Sequence, residues 1–189
     1  IDMDGVQVYD DALAIATEFI KGKKGIEYFG KVAKMNIEAV SQRETSYCWY
    51  GILMFGILLE NNPVEMMRKL GRDVRYIPTA KQFFDEVGTL GPKGISVTAA
   101  PQDSAEEVSD LLGIERTFGT IFNHNGITYD GTIQRYIGGE YKAKLIEELF
   151  GNILHIGDSW SDVESFKNEN SAALNPGCEP AFRNAVISI

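Results

Sequence analysis

An α/β fold, built on a doubly wound parallel sheet with an inserted helical subdomain, is the class this sequence predicts. Three observations predict it. Strand and helix patterns alternate from residue 94 to the end of the chain, helical patterns alone fill residues 9–76, and carboxylate pairs follow strand signals at Asp2/Asp4 and Asp158/Asp162. Strands that alternate with helices fold as right-handed crossovers into a parallel sheet, and such sheets place ligands at the carboxyl ends of their strands.

The elements follow in order. The chain opens on Ile1 directly before Asp2-Met3-Asp4-Gly5-Val6, a motif that ordinarily ends a strand, so the first strand is either very short or begins upstream. Helical spacing then recurs over 11–21, 26–43, 47–59 and 63–70, and the chain returns to the sheet near Ile77-Pro78. Residues 94–98 (GISVT) form a short β-branched run, and 101–112 place Ala105, Val108, Leu111 and Leu112 at helical spacing. Residues 117–122 read as a strand, and Asn125-Gly126 and Asp130-Gly131 are turn dipeptides around 127–129. A helix over 141–150 is stopped by Gly151-Asn152, after which 152–156 (NILHI) is a buried-type strand running into Gly157-Asp158. Two short strands, 171–174 and 186–189, complete the sheet. The expected division is a core of residues 1–8 and 77–189 with a helical cap over 9–76, placed beside the sheet edge where a lid belongs.

Bulk properties bound the function. The 189 residues suffice for one buried core, and 44% hydrophobic with 24% charged residues is ordinary for a globular protein. A net charge of -9 argues against a nucleic-acid partner, which needs an excess of Lys and Arg. Cys48 and Cys178 are far apart and lack metal-site spacing, so a reducing cytoplasm is the expected setting. The most apolar run, 49–59, is about half of what crosses a bilayer, and no membrane partner is expected.

The chemistry lies in the carboxylates. Asp2 and Asp4, two residues apart after a strand, both reach the crevice at the sheet edge, with Gly5 allowing the backbone to turn away. Asp158 and Asp162 belong to a Gly157-Asp158-Ser159-Trp160-Ser161-Asp162 loop that opens a helix, where Asp162 is equally placed to be a helix-start acid. Three or four clustered carboxylates do not all stay ionised without a cation, and hard oxygen ligands suit Mg²⁺. Thr98, ending its strand and opening the next helix, offers its hydroxyl and the Ala99 and Ala100 amides to an anion, or serves as a helix N-cap. Lys142, near a helix start, is within reach of a phosphate and a nucleophile.

This order of motifs resembles the haloacid-dehalogenase-like (HAD) hydrolase superfamily over essentially the whole chain, with a Rossmann-like core. The matches are Asp2 to Val6 for D-x-D-x-[TV], Thr98 for the strand-end Ser/Thr, Lys142 (with Lys144 as a rival) for the helix-start lysine, and Gly157 to Asp162 for G-D-x-x-x-D. The stretch 117–142 and the cap resemble the phosphoserine-phosphatase-like branch. The resemblance implies a phosphatase of a phosphorylated small molecule, with Asp2 as nucleophile, Asp4 as general acid/base, and Thr98 and Lys142 binding phosphoryl oxygens. It implies Mg²⁺ held by Asp2, the Asp4 carbonyl and Asp158, with Asp162 as ligand or one step removed, and Ser159 or Ser161 supporting the loop.

The resemblance also bears on substrate. Asp10 or Asp11 is placed to supply a cap acid, but the stretch 50–59, where a phosphoserine-binding arginine belongs, has no basic residue, and Arg43 lies upstream. Tyr47, Trp49 and Phe55 read as bundle core before they read as a substrate wall. A phosphomutase working through the same aspartyl-phosphate and a non-catalytic relative within a complex remain open alternatives, and the oligomeric state is not read.

Overall fold

The structure, a computed structural model, describes residues 1–4, 6–8, 46–90, 94–150, 153–167, 170–174, 183–185 and 187–188. The helical patterns over 11–21 and 26–43, with Asp10, Asp11 and Arg43, lie outside the described residues, as do the side chains of Tyr47 and Trp49.

Three helices come first: α1 (Ser46–Leu59), α2 (Val64–Asp73) and α3 (Pro78–Thr89). Then follow β1 (Ile95–Pro101), α4 (Gln102–Leu112), β2 (Arg116–His124), β3 (Tyr129–Arg135), α5 (Gly139–Phe150), β4 (His155–Gly157), β5 (Ser171–Ala173) and β6 (Ile187–Ser188). The strands pair as β1-β2-β3 and β4-β5-β6, parallel throughout except for the antiparallel β2–β3 hairpin. Residues 1 and 2 lie between the two sets. The Ile1 nitrogen donates to the Ile95 carbonyl (2.8 Å), Val97 N–H to the Ile1 carbonyl (2.9 Å), and Asp2 N–H to the Ile156 carbonyl (2.8 Å). That slanted pattern is parallel pairing, so Ile1 and Asp2 join the two sets.

Local chemistry sets the boundaries. Asn125 Oδ1 accepts the Ile127 and Thr128 amides, both at 2.9 Å, and so closes the hairpin. α3 starts with Pro78, whose missing N–H costs nothing in a first turn. The chain meets the opening segment again at Tyr76 and Ile77, where Tyr76 bridges Val8 and Ile77 N–H donates to the Gln7 carbonyl at 2.8 Å, and α3 follows directly. β1 departs from expectation, since it does not end at Thr98 but runs on to Pro101. Ala100, preceding a proline, is held out of the helical region, so α4 begins only at Gln102 and Thr98 is not its cap.

Two of the apolar clusters are built on α1 to α4. α1 and α2 pack with the hairpin through Phe55, Leu59, Met67, Phe122 and Tyr129, with Phe55 edge-on to Phe122 at 5.8 Å. Phe55 is therefore core. α2 lies so close to α4 that a Cβ on Gly71 would sit 2.3 Å from the Ser104 carbonyl oxygen, which is why a glycine stands there. A second cluster, including Met3, Val8, Phe84, Ala105 and Val108, packs α3 and α4 against the opening segment. No helix among the described residues is long and apolar enough to cross a membrane.

Candidate active site

The opening segment and β4 lie side by side, so their ends bring Asp2 next to the loop that follows Gly157. Directly after Asp2 the chain turns tightly, and the Met3 carbonyl collects the amides of Val6, Gln7 and Val8 at 3.3, 2.8 and 3.1 Å. Asp2 is buried, with its Oδ1 accepting the Met3 amide at 2.9 Å. Asp4 is half-buried on the turn and bridges Val8.

Lys142 sits one helical turn before buried Ile146 on the inner face of α5, whereas Lys144 faces solvent. Of the two lysines, helical geometry turns Lys142 inward. Lys142 Nζ lies 3.0 Å from Asp2 Oδ1 and 2.6 Å from Asp162 Oδ1, in full burial. Burial works against its charge, but Asp162 and Asp2 outweigh that and hold Lys142 above the usual lysine range.

Asp162 is surrounded by donors. Its Oδ1 faces Lys142 and, at 3.0 Å, His155 Nε2. Its Oδ2 takes the Asp158 and Ser159 amides at 3.3 Å and the Ser159 and Ser161 hydroxyls at 3.4 Å. Ser159 and Asp162 form a reciprocal capping box on the short 3₁₀ turn Trp160–Asp162. Burial alone would raise the Asp162 carboxyl, yet Lys142 and His155 hold it well below the usual carboxylate range. The approach depends on Gly157, where a Cβ would lie 2.3 Å from the Asp162 carboxyl carbon.

Asp2, Asp158 and Asp162 converge, with one carboxylate oxygen from each lying within 4.8 Å of the others. Asp158 Oδ1 is buried and accepts no hydrogen bond. Burial first, and then Asp2 and Asp162, push Asp158 up to about 8; burial and Asp162 likewise push Asp2 up to about 6. A buried carboxylate oxygen without a donor, beside two more carboxylates, is a set that a hard divalent cation fits. Ser161 Oγ, 3.5 Å from Asp2 Oδ2, ties the two loops together.

Thr98 is buried in β1, and its hydroxyl accepts the Ala100 amide at 3.1 Å. The Ala100 amide expected to face an anion is therefore engaged within its own strand. This correction follows from the strand running on to Pro101. His155 is the residue the sequence reading passed over. The only signal was a histidine inside an otherwise apolar strand, three residues before Asp158.

No family model matches the sequence, and no curated protein does. Solved structures do. The chain superposes along its whole length on 90% of a phospho-aspartyl intermediate analogue of phosphoserine phosphatase, with a TM-score of 0.79 and 17% identity. A substrate-bound phosphoserine phosphatase matches the whole chain over 90% of its own length, at TM-score 0.75 and 18% identity. A HAD-family hydrolase from Salmonella enterica serovar Typhi matches at TM-score 0.78 and 12% identity, with this chain spanning 65% of it. The fold is that of the HAD-like α/β proteins. Within that class its likeness is to the phosphoserine-phosphatase type.

Proposed function

We propose that this protein is a Mg²⁺-dependent phosphomonoesterase that works through an aspartyl-phosphate on Asp2. The observation that carries the reading is the setting of Asp2. It is buried between Lys142 at 3.0 Å and a carboxylate, Asp158, whose Oδ1 has no donor. The phosphoserine phosphatases sharing this fold support it.

In the proposed reaction an Asp2 oxygen attacks phosphorus, the ester P–O bond breaks, and the leaving oxygen takes a proton from Asp4. Asp4 then removes a proton from water, whose oxygen attacks the phosphoaspartate; the Asp2–phosphorus bond breaks and inorganic phosphate leaves. Asp2, Asp158 and the Asp4 carbonyl would hold the cation, and Asp162 keeps their loop in place through its six donors. Bound there, the cation supplies positive charge to the phosphoryl oxygens and keeps crowded carboxylates ionised. Lys142 adds fixed positive charge, and Thr98 lies on the adjoining strand. The substrate is a phosphorylated small molecule. Phosphoserine is not the favoured one, because the part of α1 expected to offer a binding arginine gives Phe55, Leu58 and Leu59 to the core.

Hydrolysis of p-nitrophenyl phosphate, with and without Mg²⁺, tests this in the wild type and Asp2→Asn. The expected result is turnover that needs the metal and falls about 10⁴-fold or more in the variant. Activity persisting in Asp2→Asn moves the nucleophile elsewhere, and turnover under chelation removes the metal from the reaction.

A further inference from the structure

We infer that His155 is a positioning residue for the metal-binding loop, acting through Asp162. The inference rests on the metal site proposed above. His155 is buried in β4, its ring tilted against Phe166 at 5.4 Å, and its Nε2 lies 3.0 Å from Asp162 Oδ1. Its Nδ1 is buried with no hydrogen-bond partner. Placing the proton on Nδ1 would strand a donor and set two lone pairs against each other at Asp162. The tautomer with the proton on Nε2 satisfies the pair, so His155 donates to Asp162.

That bond decides where the Asp162 carboxylate points. Oδ1 is shared between Lys142 and His155, on α5 and β4 respectively, while Oδ2 receives the Asp158 and Ser159 amides. With His155 in place, the carboxylate is pinned from three elements and cannot rotate toward Lys142 alone. The Asp158 backbone hangs on this carboxylate, so its free oxygen is aimed from His155. A leucine here would suit an apolar strand and satisfy the core. It would leave Oδ1 to Lys142 and loosen the loop. Groups that hold a metal ligand's support in orientation set affinity strongly although they never touch the ion.

The test is Mg²⁺ binding by calorimetry, with thermal melts, on wild type, His155→Leu and His155→Gln. Gln places an amide N–H near the position of Nε2. The expected result is about a 10-fold rise in Mg²⁺ Kd for His155→Leu, with Tm within about 3 °C of wild type, and recovery of affinity in His155→Gln. For p-nitrophenyl phosphate at saturating Mg²⁺, kcat should fall with KM unchanged. Equal Kd in wild type and His155→Leu overturns this inference and leaves the proposed function standing. A wild type that binds no Mg²⁺ overturns both. If His155→Leu does not fold, His155→Asn replaces it, because its amide stops short of Asp162. Equal affinity in the Gln and Asn variants then overturns the inference, and weaker binding by Asn supports it.

Discussion

Leu59 and Lys142 are both wholly buried, yet they are held in place by different physics. Leu59 belongs to the cluster where α1 and α2 meet the hairpin, a body of side chains that gain by leaving water and ask only for complementary shape. Lys142 stands between Asp2 and Asp162, where each charge was costly to bury and is tolerable only because the opposite charge is present. The apolar region should therefore fail by degrees and the polar region as a unit. One serves stability; the other gives up stability for the proposed chemistry.

Lys142→Met is the most direct way to break that contrast. It leaves Asp2 and Asp162 buried without their cation, and stability should drop by about 3–5 kcal/mol, read by urea unfolding, with p-nitrophenyl phosphate turnover lost. Adding Asp162→Asn to Lys142→Met should return part of that stability but none of the activity. A loss below about 1 kcal/mol would mean that Lys142 behaves as a surface ion pair, contrary to its burial. On the other side, Leu59→Ala should cost about 2–5 kcal/mol while kcat at 25 °C stays near wild type in the molecules that remain folded. If kcat fell with it, the apolar cluster and the site would be one cooperative body, and the distinction would fail.

The smallest effect sharpens the contrast by pH. Asp2 and Asp158 sit at about 6 and about 8 in the metal-free fold, above the ordinary carboxylate value of 3.8. Each keeps a proton that the unfolded chain gives up, so unfolding releases protons and stability falls as pH rises from about 4 to 8. Asp162 is depressed, so its contribution is present above the ordinary value and fades only at strongly acid pH. Without metal, Tm should decline between pH 6 and 8, and Mg²⁺ should flatten the decline. A metal-free Tm that rises over that interval would contradict the crowding of these carboxylates. Leu59→Ala should shift the curve without changing its slope.

How much of this was legible in the sequence depended on whether the signal was local. Asp2 and the Gly157 to Asp162 loop were each ambiguous alone, since acids are common in turns and at helix starts, and became legible through the order of all the motifs. Lys142 over Lys144 was there to be read from Ile146 four residues on, which puts Lys142 on the buried face. Thr98 misled because a threonine before a helical pattern resembles a cap. The physics was set three residues later, where Pro101 delays the helix. His155 was hidden in plain hydrophobic company, since nothing in NILHI says that the imidazole would meet a carboxylate seven residues on. The helix over 78–89 packs on partners distant in sequence, which no local pattern contains, whereas the return of β3 was signalled by the Asn125-Gly126 turn.

Ile1 and Asp2 bond to β1 on one side and, through the Asp2 amide, to β4 on the other. The proposed nucleophile thus sits on the stitch that closes the two strand sets into one fabric. Any transient parting of those sets pulls Asp2 away from Lys142 or from the Asp158 loop. Mild denaturant should then silence the proposed turnover at the concentration where the Asp2 and Val97 amides lose protection from exchange, ahead of the loss of helical signal from α1 and α2.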